Sequence, residues 1–353
     1  MKKLRSLIIS LAIITIMVSN GYALEFKNIV VFGDSLSDNG NLFSFTGSYP
    51  PEPYYQGRIS NGPVWYDYLV EELGVTGITL NYAYAGAQTG YTNVNDDDFN
   101  ADLPGFLDEV ESYLSMAALS IKFPSAFAMP KDTLFIVWVG GNDMLSLNNP
   151  VTATAQVAES IANIQTALLS LIEAGASNFL IMNIPDLGQT PRANTNPTLS
   201  ALATQISAGF NDGVDQVIYA LNQNYPNIKI NQLDAFSLLG DFIGNSSFYG
   251  FTNIDKAQLN KEEGFINEGI YLFWDDIHPT TSAHKIIAKK VAEAINCENC
   301  KANFPYFEAD FTLKVPSAKL GDNRYGFSLV PYQNPAEPDR AFWVLDADSV
   351  EVK

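Results

Sequence analysis

Residues 28–38 read Asn-Ile-Val-Val-Phe-Gly-Asp-Ser-Leu-Ser-Asp, a short apolar run that ends in a glycine and continues into polar residues. The run at 28–32 is typical of a fully buried strand, and the glycine predicts a turn directly after it. Similar runs recur at 79–82, 134–139, 179–184 and 228–233. Helical patterns alternate with these runs, at 64–73, 103–118, 151–174, 199–222 and 281–295. The alternation predicts an α/β fold in which a five-stranded parallel sheet is covered on both faces by helices.

Ser35 follows the first predicted strand directly. Because open parallel sheets place their sites at the carboxyl ends of the strands, Ser35 is a candidate nucleophile. The chain contains two histidines, His278 and His284. Pro279 disfavours a helical conformation at His278, so we expect His278 on the loop before the last helix. His284 lies inside that helix, and we expect it to be structural or on the surface.

A carboxylate close to His278 completes the set that turns a weakly nucleophilic hydroxyl into an acylating group. Asp275 precedes His278 by three residues, and with the chain turning there it can accept from one imidazole nitrogen while the other faces the serine. We therefore predict a catalytic triad of Ser35, His278 and Asp275. Asp276 is the alternative carboxylate.

Donors for a developing oxyanion are available in two glycine-containing segments that follow the second and third strands. These read Asn-Tyr-Ala-Tyr-Ala-Gly-Ala at 81–87 and Val-Gly-Gly-Asn-Asp at 139–143. Gly86 can present a backbone N–H without a side chain in the way, and Asn142 can offer its amide. The backbone N–H of Ser35 is a third donor. The alternative interpretation of both segments is an ordinary turn at the end of a strand.

The N-terminus has the layout of a secretory signal peptide, with Lys2, Lys3 and Arg5, an apolar run at 7–18, and small residues up to Ala23. We predict cleavage after Ala23 and export to the bacterial periplasm or the medium. An uncleaved membrane anchor is the alternative, but about 20 apolar residues are usually needed to span a bilayer. The net charge of −19 argues against nucleic-acid binding, since phosphate contacts need Lys and Arg.

The C-terminal part differs from the α/β pattern. Its Cys297 and Cys300, the two cysteines of the chain, form a C-x-x-C pair. In an exported protein this pair predicts a disulfide, with a redox role or free thiols as alternatives. Short strand patterns follow at 311–315, 325–330 and 342–345. The predicted organisation is a signal peptide at 1–23, a domain of alternating strands and helices at 24–300 that carries the candidate triad, and a small β-rich extension at 301–353.

These segments together resemble the GDSL lipases and esterases, also called SGNH hydrolases, which carry their functional residues in four blocks. The blocks correspond to Gly-Asp-Ser-Leu-Ser-Asp at 33–38, the segment 81–87, Gly-Gly-Asn-Asp at 140–143, and Asp-Asp-Ile-His-Pro at 275–279. The resemblance implies a three-layer α/β/α, flavodoxin-like fold and an acyl-enzyme on Ser35. It also implies oxyanion donors at Ser35, Gly86 and Asn142, and no metal or organic cofactor.

Two further segments are similar to one branch of that family, the secreted bacterial phospholipases, lysophospholipases, glycerophospholipid:cholesterol acyltransferases and thermolabile haemolysins. They are Gly-Arg-Ile-Ser-Asn-Gly-Pro-Val-Trp at 57–65 and Tyr-Gly-Phe-Thr-Asn at 249–253. The branch implies a lipid ester substrate, a phospholipid or lysophospholipid, with a sterol as a further acyl acceptor and transient contact with membrane surfaces. A carbohydrate or aryl ester esterase on the same scaffold is the alternative, followed by an inert exported binding protein.

An aromatic and proline-rich cluster at 43–55 follows the candidate nucleophile. Its side chains are suited to lining an acyl pocket or to forming a rim that meets lipid. Packing of a long loop onto the core is the alternative for the same residues.

Overall fold

A computed structural model of the chain describes residues 26–73, 75, 77–120, 130–147, 150–260, 264–265, 270–296, 306–307, 313–320, 323–333 and 341–352. The predicted signal peptide and the predicted disulfide between Cys297 and Cys300 lie outside the described residues. In the described part of the chain, no helix combines the length and the apolar character needed to cross a bilayer.

The centre of the molecule is a parallel sheet. Its strands are β1 (Asn28–Gly33), β2 (Thr79–Asn81), β3 (Thr133–Trp138), β4 (Asn178–Met182) and β5 (Lys229–Leu233). They pair in the order β2-β1-β3-β4-β5, each pair parallel. The predicted five-stranded parallel sheet is confirmed. The direction of winding reverses at β1, which makes the crevice at the carboxyl ends of β1 and β3 the expected place for a site.

Helices cover both faces of this sheet, as predicted. The helices of the described residues are α1 (Asn41–Thr46), α2 (Trp65–Leu73), α3 (Asp96–Phe99), α4 (Phe106–Ser120), α5 (Gly141–Leu145), α6 (Pro150–Glu173), α7 (Pro191–Asn194), α8 (Pro197–Asn224), α9 (Ala235–Gly244), α10 (Ser246–Tyr249) and α11 (Thr281–Asn296). Two short 3₁₀ helices lie at Pro130–Asp132 and Leu187–Gln189.

The two faces of the sheet carry separate apolar cores, because successive side chains of a strand point to opposite sides. Val30 and Phe32 of β1 pack with α4, α6 and α8 in the first core. Ile29 and Val31 pack with α2, α9 and α11 in the second core. The architecture is therefore the three-layer α/β/α fold that the sequence predicts.

Two helices begin two or three residues away from their predicted start. The helix expected at 103–118 begins at Phe106, after Pro104, and the carboxylate of Asp108 accepts the backbone N–H of Gly105 at 3.1 Å. The helix expected at 199–222 begins earlier, at Pro197, because the side chain of Asn196 caps its first turn. Proline at the first helical position is favourable, since its missing N–H would have no partner there.

Shorter strands follow the main sheet. β6 (Asn253–Ala257) pairs with β9 (Tyr271–Phe273), and β7 (Leu259–Asn260) with β8 (Gly264–Phe265). Four C-terminal strands form an antiparallel sheet: β10 (Tyr306–Phe307), β11 (Leu313–Leu320), β12 (Asn323–Gln333) and β13 (Ala341–Val352). These strands lie within 301–353, and the main ones are longer than the predicted strands; the division into domains stays a prediction.

Candidate active site

Ser35 lies at the carboxyl end of β1, where the chain leaves the sheet. Glycine is required at position 33, because a Cβ atom there would lie 2.3 Å from the carbonyl oxygen of Trp138 on β3. The chain then turns sharply, and the backbone N–H of Ser37 donates to the carbonyl of Asp34 at 2.9 Å. This turn holds Ser35, which is 9% exposed, at the edge of the sheet.

Ser35, His278 and Asp275 form a hydrogen-bonded chain. Nε2 of His278 lies 2.8 Å from Oγ of Ser35. Nδ1 of His278 lies 2.9 Å from Oδ1 and 2.8 Å from Oδ2 of Asp275. Because an ionised carboxylate can only accept, Nδ1 carries the ring proton and Nε2 accepts the serine hydroxyl. The arrangement suits a nucleophile, a general base and a carboxylate that orients the base.

The surroundings of Asp275 keep its carboxylate charged. Burial alone would raise the pKa of Asp275, but the charge of His278 and hydrogen bonds from the imidazole and from two backbone N–H groups outweigh burial and lower the pKa to about 2. Those N–H groups belong to Ile277 and His278 and lie 3.0 and 2.8 Å from Oδ1. A carboxylate that stays ionised can stabilise the imidazolium formed when His278 takes up a proton.

The alternative carboxylate and the second histidine lie outside this chain of hydrogen bonds. Asp276 forms an exposed bidentate pair with Arg192, at 2.8 and 3.2 Å, so Asp275 is the carboxylate that contacts His278. His284 is fully buried in α11, so its expected structural placement holds and the surface alternative is wrong. Burial, with a smaller effect of His278, lowers the pKa of His284 to about 3. Neither of its ring nitrogens has a hydrogen-bond partner within the described residues.

Asn142 lies in the first turn of α5 and borders the same cavity as Ser35 and His278. Its side-chain amide donates one hydrogen to the carbonyl of Ala87 at 3.0 Å. Since a primary amide carries two hydrogens, the other can be donated to a substrate oxygen. The position of Asn142 therefore fits the predicted oxyanion donor.

Gly86 lies in the loop after β2, between Ala85 and Ala87, which each form a hydrogen bond to another segment of the site. The backbone N–H of Ala85 donates to Asp38 at 2.8 Å, and Ala87 accepts from Asn142. Gly86 has a φ of 89°, and a Cβ atom there would lie 2.2 Å from an asparagine side chain, so glycine is required. The loop thus connects the turn after Ser35 with Asn142. The role of the Gly86 N–H as an oxyanion donor stays a prediction.

Asp38, which the sequence analysis did not single out, holds these loops together. Its carboxylate accepts the backbone N–H groups of Gly40, Asn41, Leu42 and Ala85, at 2.6 to 3.1 Å. Burial raises the pKa of Asp38, and these hydrogen bonds oppose that rise. A local signal was available, because Asp before Asn-Gly is typical of a turn closed by the Asp side chain.

Glu109 on α4 is a second buried carboxyl group that the sequence analysis missed. It accepts the backbone N–H of Gly33 at 2.9 Å and that of Tyr84 at 3.0 Å. Glu109 therefore joins the carboxyl ends of β1 and β2, from which the nucleophile turn and the Gly86 loop emerge. Burial raises the pKa of Glu109 well above its ordinary value.

Asp34, directly before the nucleophile, lies against the same cavity. Burial raises the pKa of Asp34 to about 7, although the N–H of Leu36 and the charge of His278 act in the opposite direction. The N–H of Leu36 donates to Oδ1 of Asp34 at 3.0 Å. The charge next to the triad therefore changes around neutral pH.

An apolar cavity of about 850 Å³, its opening to solvent included, begins at Ser35, Asn142 and His278. Most of its wall is aliphatic or aromatic and comes from the sheet, α9 and α11, including Trp138, Met182, Leu238, Leu239, Phe242 and Ile287. Leu239 and Phe242 also belong to the second core, so the cavity reaches into the interior. Its apolar wall and the few polar groups at Ser35, Asn142 and His278 are typical of a site that binds a small molecule.

The aromatic cluster at 43–55 does not line this cavity. Phe43, Phe45, Tyr49 and Tyr55 are exposed, with Phe45 at 54%. Tyr54 instead turns inward, and its hydroxyl donates to Asp275 at 2.9 Å. The expectation that the cluster forms the acyl pocket is therefore not met by this cavity.

A parallel sheet with helices on both faces, and a Ser-His-Asp chain at its carboxyl edge, together define an α/β serine hydrolase. A family model described as GDSL-like Lipase/Acylhydrolase matches residues 29–291. The chain therefore belongs to the GDSL-like lipase and acylhydrolase family, whose members hydrolyse carboxylic esters. The family predicted from the four sequence blocks is confirmed.

Individual relatives support the predicted branch. The chain is 28% identical over 293 residues to thermolabile hemolysin of Vibrio parahaemolyticus, covering 77% of this chain and 64% of that protein, which is less than two thirds of its length. It is 25% identical over 346 residues to phosphatidylcholine-sterol acyltransferase of Aeromonas hydrophila, covering 84% and 98%. Among solved structures, the acetylxylan esterase Axe2 of Geobacillus stearothermophilus is 14% identical, with a TM-score of 0.42 and coverage of 77% and 95%.

Proposed function

We propose that the protein hydrolyses carboxylic esters of lipids, with phospholipids and lysophospholipids as the substrate class, through an acyl-enzyme on Ser35. The observation that carries this proposal is the apolar cavity that begins at Ser35 and reaches Phe242 of α9. A hydrocarbon chain gains free energy by leaving water for such a wall, at about 0.8 kcal/mol per buried CH₂ group.

Acylation begins when Oγ of Ser35 attacks the ester carbonyl carbon and its proton passes to Nε2 of His278. Asp275 holds the ring by Nδ1 and stabilises the imidazolium. The carbonyl oxygen, which becomes negatively charged, is positioned to accept from the Asn142 amide and the backbone N–H groups of Ser35 and Gly86. When the tetrahedral intermediate collapses, the bond to the leaving alkoxide breaks and His278 returns the proton to it.

Deacylation repeats these steps with a second acceptor. Water gives its proton to His278, attacks the acyl carbon and releases a fatty acid, regenerating the Ser35 hydroxyl. An alcohol in place of water would give a new ester, and we propose a sterol as such an acceptor. The similarity to the Aeromonas hydrophila relative, a phosphatidylcholine-sterol acyltransferase, supports both the donor and the acceptor class.

We propose that the protein is exported and contacts lipid surfaces transiently. The basic, apolar and small residues of 1–23 support export. The exposed side chains of Phe43, Phe45, Tyr49 and Tyr55 support the contact with lipid. A mature N-terminus at Leu24 and co-sedimentation of inactive protein with phosphatidylcholine vesicles are the expected results. An N-terminus that retains residues 1–23 would contradict export with cleavage. Absence of co-sedimentation would contradict the contact with lipid surfaces.

The function is tested with mature wild-type protein and Ser35→Ala on lysophosphatidylcholine, phosphatidylcholine, acetylated xylan and a short nitrophenyl ester, with and without cholesterol. Wild-type protein should prefer the phospholipids, and Ser35→Ala should lose at least about 10⁴-fold in kcat because the nucleophile is absent. Matched far-UV spectra and melting temperatures of the two proteins serve as the folding control.

Each outcome of this panel decides one part of the proposal. Retained turnover by Ser35→Ala would overturn the mechanism. Preference for acetylated xylan or the nitrophenyl ester would favour the carbohydrate or aryl esterase. Failure of folded wild-type protein to react with a fluorophosphonate at Ser35 would favour an inert binding protein.

A further inference from the structure

Tyr54 reaches the triad from the aromatic cluster, although it is separated from Asp275 by 221 positions in the sequence. Its hydroxyl lies 2.9 Å from Oδ2 of Asp275. We propose that Tyr54 is a positioning residue for ester hydrolysis, which fixes the carboxylate of Asp275 and, through it, the ring of His278. This inference rests on the proposed triad.

The donors around Asp275 are divided between its two oxygens. Oδ1 accepts the backbone N–H groups of Ile277 and His278, at 3.0 and 2.8 Å. Oδ2 accepts the Tyr54 hydroxyl, and Nδ1 of His278 lies close to both oxygens. Rotation of a carboxylate about its last torsion is weakly restricted, so donors on both oxygens are needed to fix its plane. Tyr54 supplies a donor to Oδ2 that does not belong to His278 itself.

Tyr54 is itself held in place for this role. Its ring packs edge-to-face on the buried Trp274, with centroids 5.9 Å apart and an interplanar angle of 88°. Its backbone N–H donates to the carbonyl of Pro51 at 3.1 Å. Burial, and after it the charge of Asp275, raises the pKa of Tyr54, so the hydroxyl remains a proton donor throughout the working pH range.

The direction of the effect on pH dependence follows from the hydrogen bond. A donor on Oδ2 disperses the negative charge of Asp275, and its removal leaves a carboxylate that stabilises the imidazolium of His278 more strongly. The triad needs neutral His278 to accept the serine proton. Without the Tyr54 hydroxyl, the acid limb of kcat/KM therefore moves to higher pH.

Other titratable groups face the Asp275–His278 pair from the elements around it. They are Asp34 after β1, Tyr49 in the aromatic cluster, Asp276 with its partner Arg192, and His284 on α11. All of these groups are retained when Tyr54 is replaced with phenylalanine. A displaced acid limb in that variant thus reports the loss of one hydroxyl.

The experiment compares Tyr54→Phe with Tyr68→Phe in the full mature chain. Tyr68 is a matched control, because its hydroxyl pairs with Oγ1 of Thr281 at 2.7 Å, at the start of α11, without touching the triad. For Tyr54→Phe we expect kcat to fall roughly fivefold with KM unchanged, the size expected for one hydrogen bond. We also expect the acid limb to rise by about 0.5 pH unit. Tyr68→Phe should show neither change.

The pH dependence of fluorophosphonate labelling at Ser35 provides a second readout that does not depend on substrate binding. The same upward displacement in Tyr54→Phe is expected there. An unmoved acid limb in both measurements, or a change in KM alone, would show that Tyr54 only anchors its loop. If the acid limb does not move and Ser35→Ala is inactive, the role proposed for Tyr54 is wrong but the proposed function stands. If Ser35→Ala remains active, the proposed function is wrong.

Discussion

The two faces of the central sheet are filled in different ways. On the face covered by α4, α6 and α8, aromatic rings contact one another, with Phe135 at 5.2 Å from Tyr113 and 5.8 Å from Phe179 between centroids. On the face covered by α2, α9 and α11, side chains such as Leu239 and Phe242 border the apolar cavity that begins at Ser35. The same strands thus supply a dense core on one side and a binding space on the other.

This difference predicts that residues bordering the cavity affect substrate preference, whereas residues of the first core affect stability alone. Successive side chains along a strand point to opposite faces of the sheet, so residues that are neighbours in sequence pack in different cores. In β3, Phe135 packs in the first core, whereas Trp138 borders the cavity. Substitutions on the first face should change the free energy of unfolding, whereas substitutions that border the cavity on the second face should also change which acyl chains are accepted.

The largest effect is expected on the densely packed face. Phe135→Ala removes a fully buried ring that contacts three others, and should lower the free energy of unfolding by about 3–5 kcal/mol. Phe248→Ala is the matched control, because Phe248 is 83% exposed and its loss should cost less than about 0.5 kcal/mol. Denaturant unfolding of both variants measures this. Equal losses of unfolding free energy in the two variants would contradict the difference between the two faces. So would a changed preference for acyl-chain length in Phe135→Ala.

A smaller effect is expected inside the cavity. Leu239→Trp places a larger side chain in the space proposed for the acyl chain, and should reduce the ratio of long-chain to short-chain ester turnover by about tenfold. Leu202→Trp, on the exposed surface of α8, is the control and should leave the ratio unchanged. The ratio of kcat/KM values for lauroyl and butyryl esters measures this. An unchanged ratio in Leu239→Trp would mean that acyl chains bind elsewhere.

The smallest effect concerns His284 on the cavity side. Unfolded histidine takes up a proton below about pH 6.5, whereas folded His284, with its pKa lowered to about 3, stays neutral. The unfolded state therefore binds more protons in this window, and acidification destabilises the fold. In His284→Leu, the loss of stability between pH 7.5 and 5.5 should shrink by about 1 kcal/mol.

Denaturant unfolding at the two pH values measures this change, with Tyr68→Phe as a variant that should keep the wild-type pH dependence. A loss as large in His284→Leu as in the wild type would show that His284 becomes protonated in the folded protein.

Much of the fold was predictable because the inner strands of the central sheet, β1, β3 and β4, are buried on both faces. Their apolar runs, such as 134–139, stand out from the surrounding sequence, and the observed strand Thr133–Trp138 differs by one residue at each end. The C-terminal strands were less predictable, since polar residues interrupt their apolar ones. The strand expected at 342–345 extends over Ala341–Val352.

The site was predictable where its parts are local. Ser35 follows its strand directly, and Asp275 lies three positions from His278. The choice between Asp275 and Asp276 was open in the sequence, because it depends on which carboxylate turns inward and which pairs with Arg192. Glu109 and Tyr54 gave no local signal, because their partners lie as far as 76 and 221 positions away.

The hydrogen bond between Ser35 and His278 joins residues separated by 243 positions. A ribosome therefore completes the nucleophile long before the imidazole that must deprotonate it has been translated. A chain that ends before residue 275 lacks both the carboxylate and the imidazole, so its Ser35 has neither of these partners. The Ser-His-Asp chain can form only after the residues up to His278 have been synthesised and the loop before α11 has reached the carboxyl end of β1.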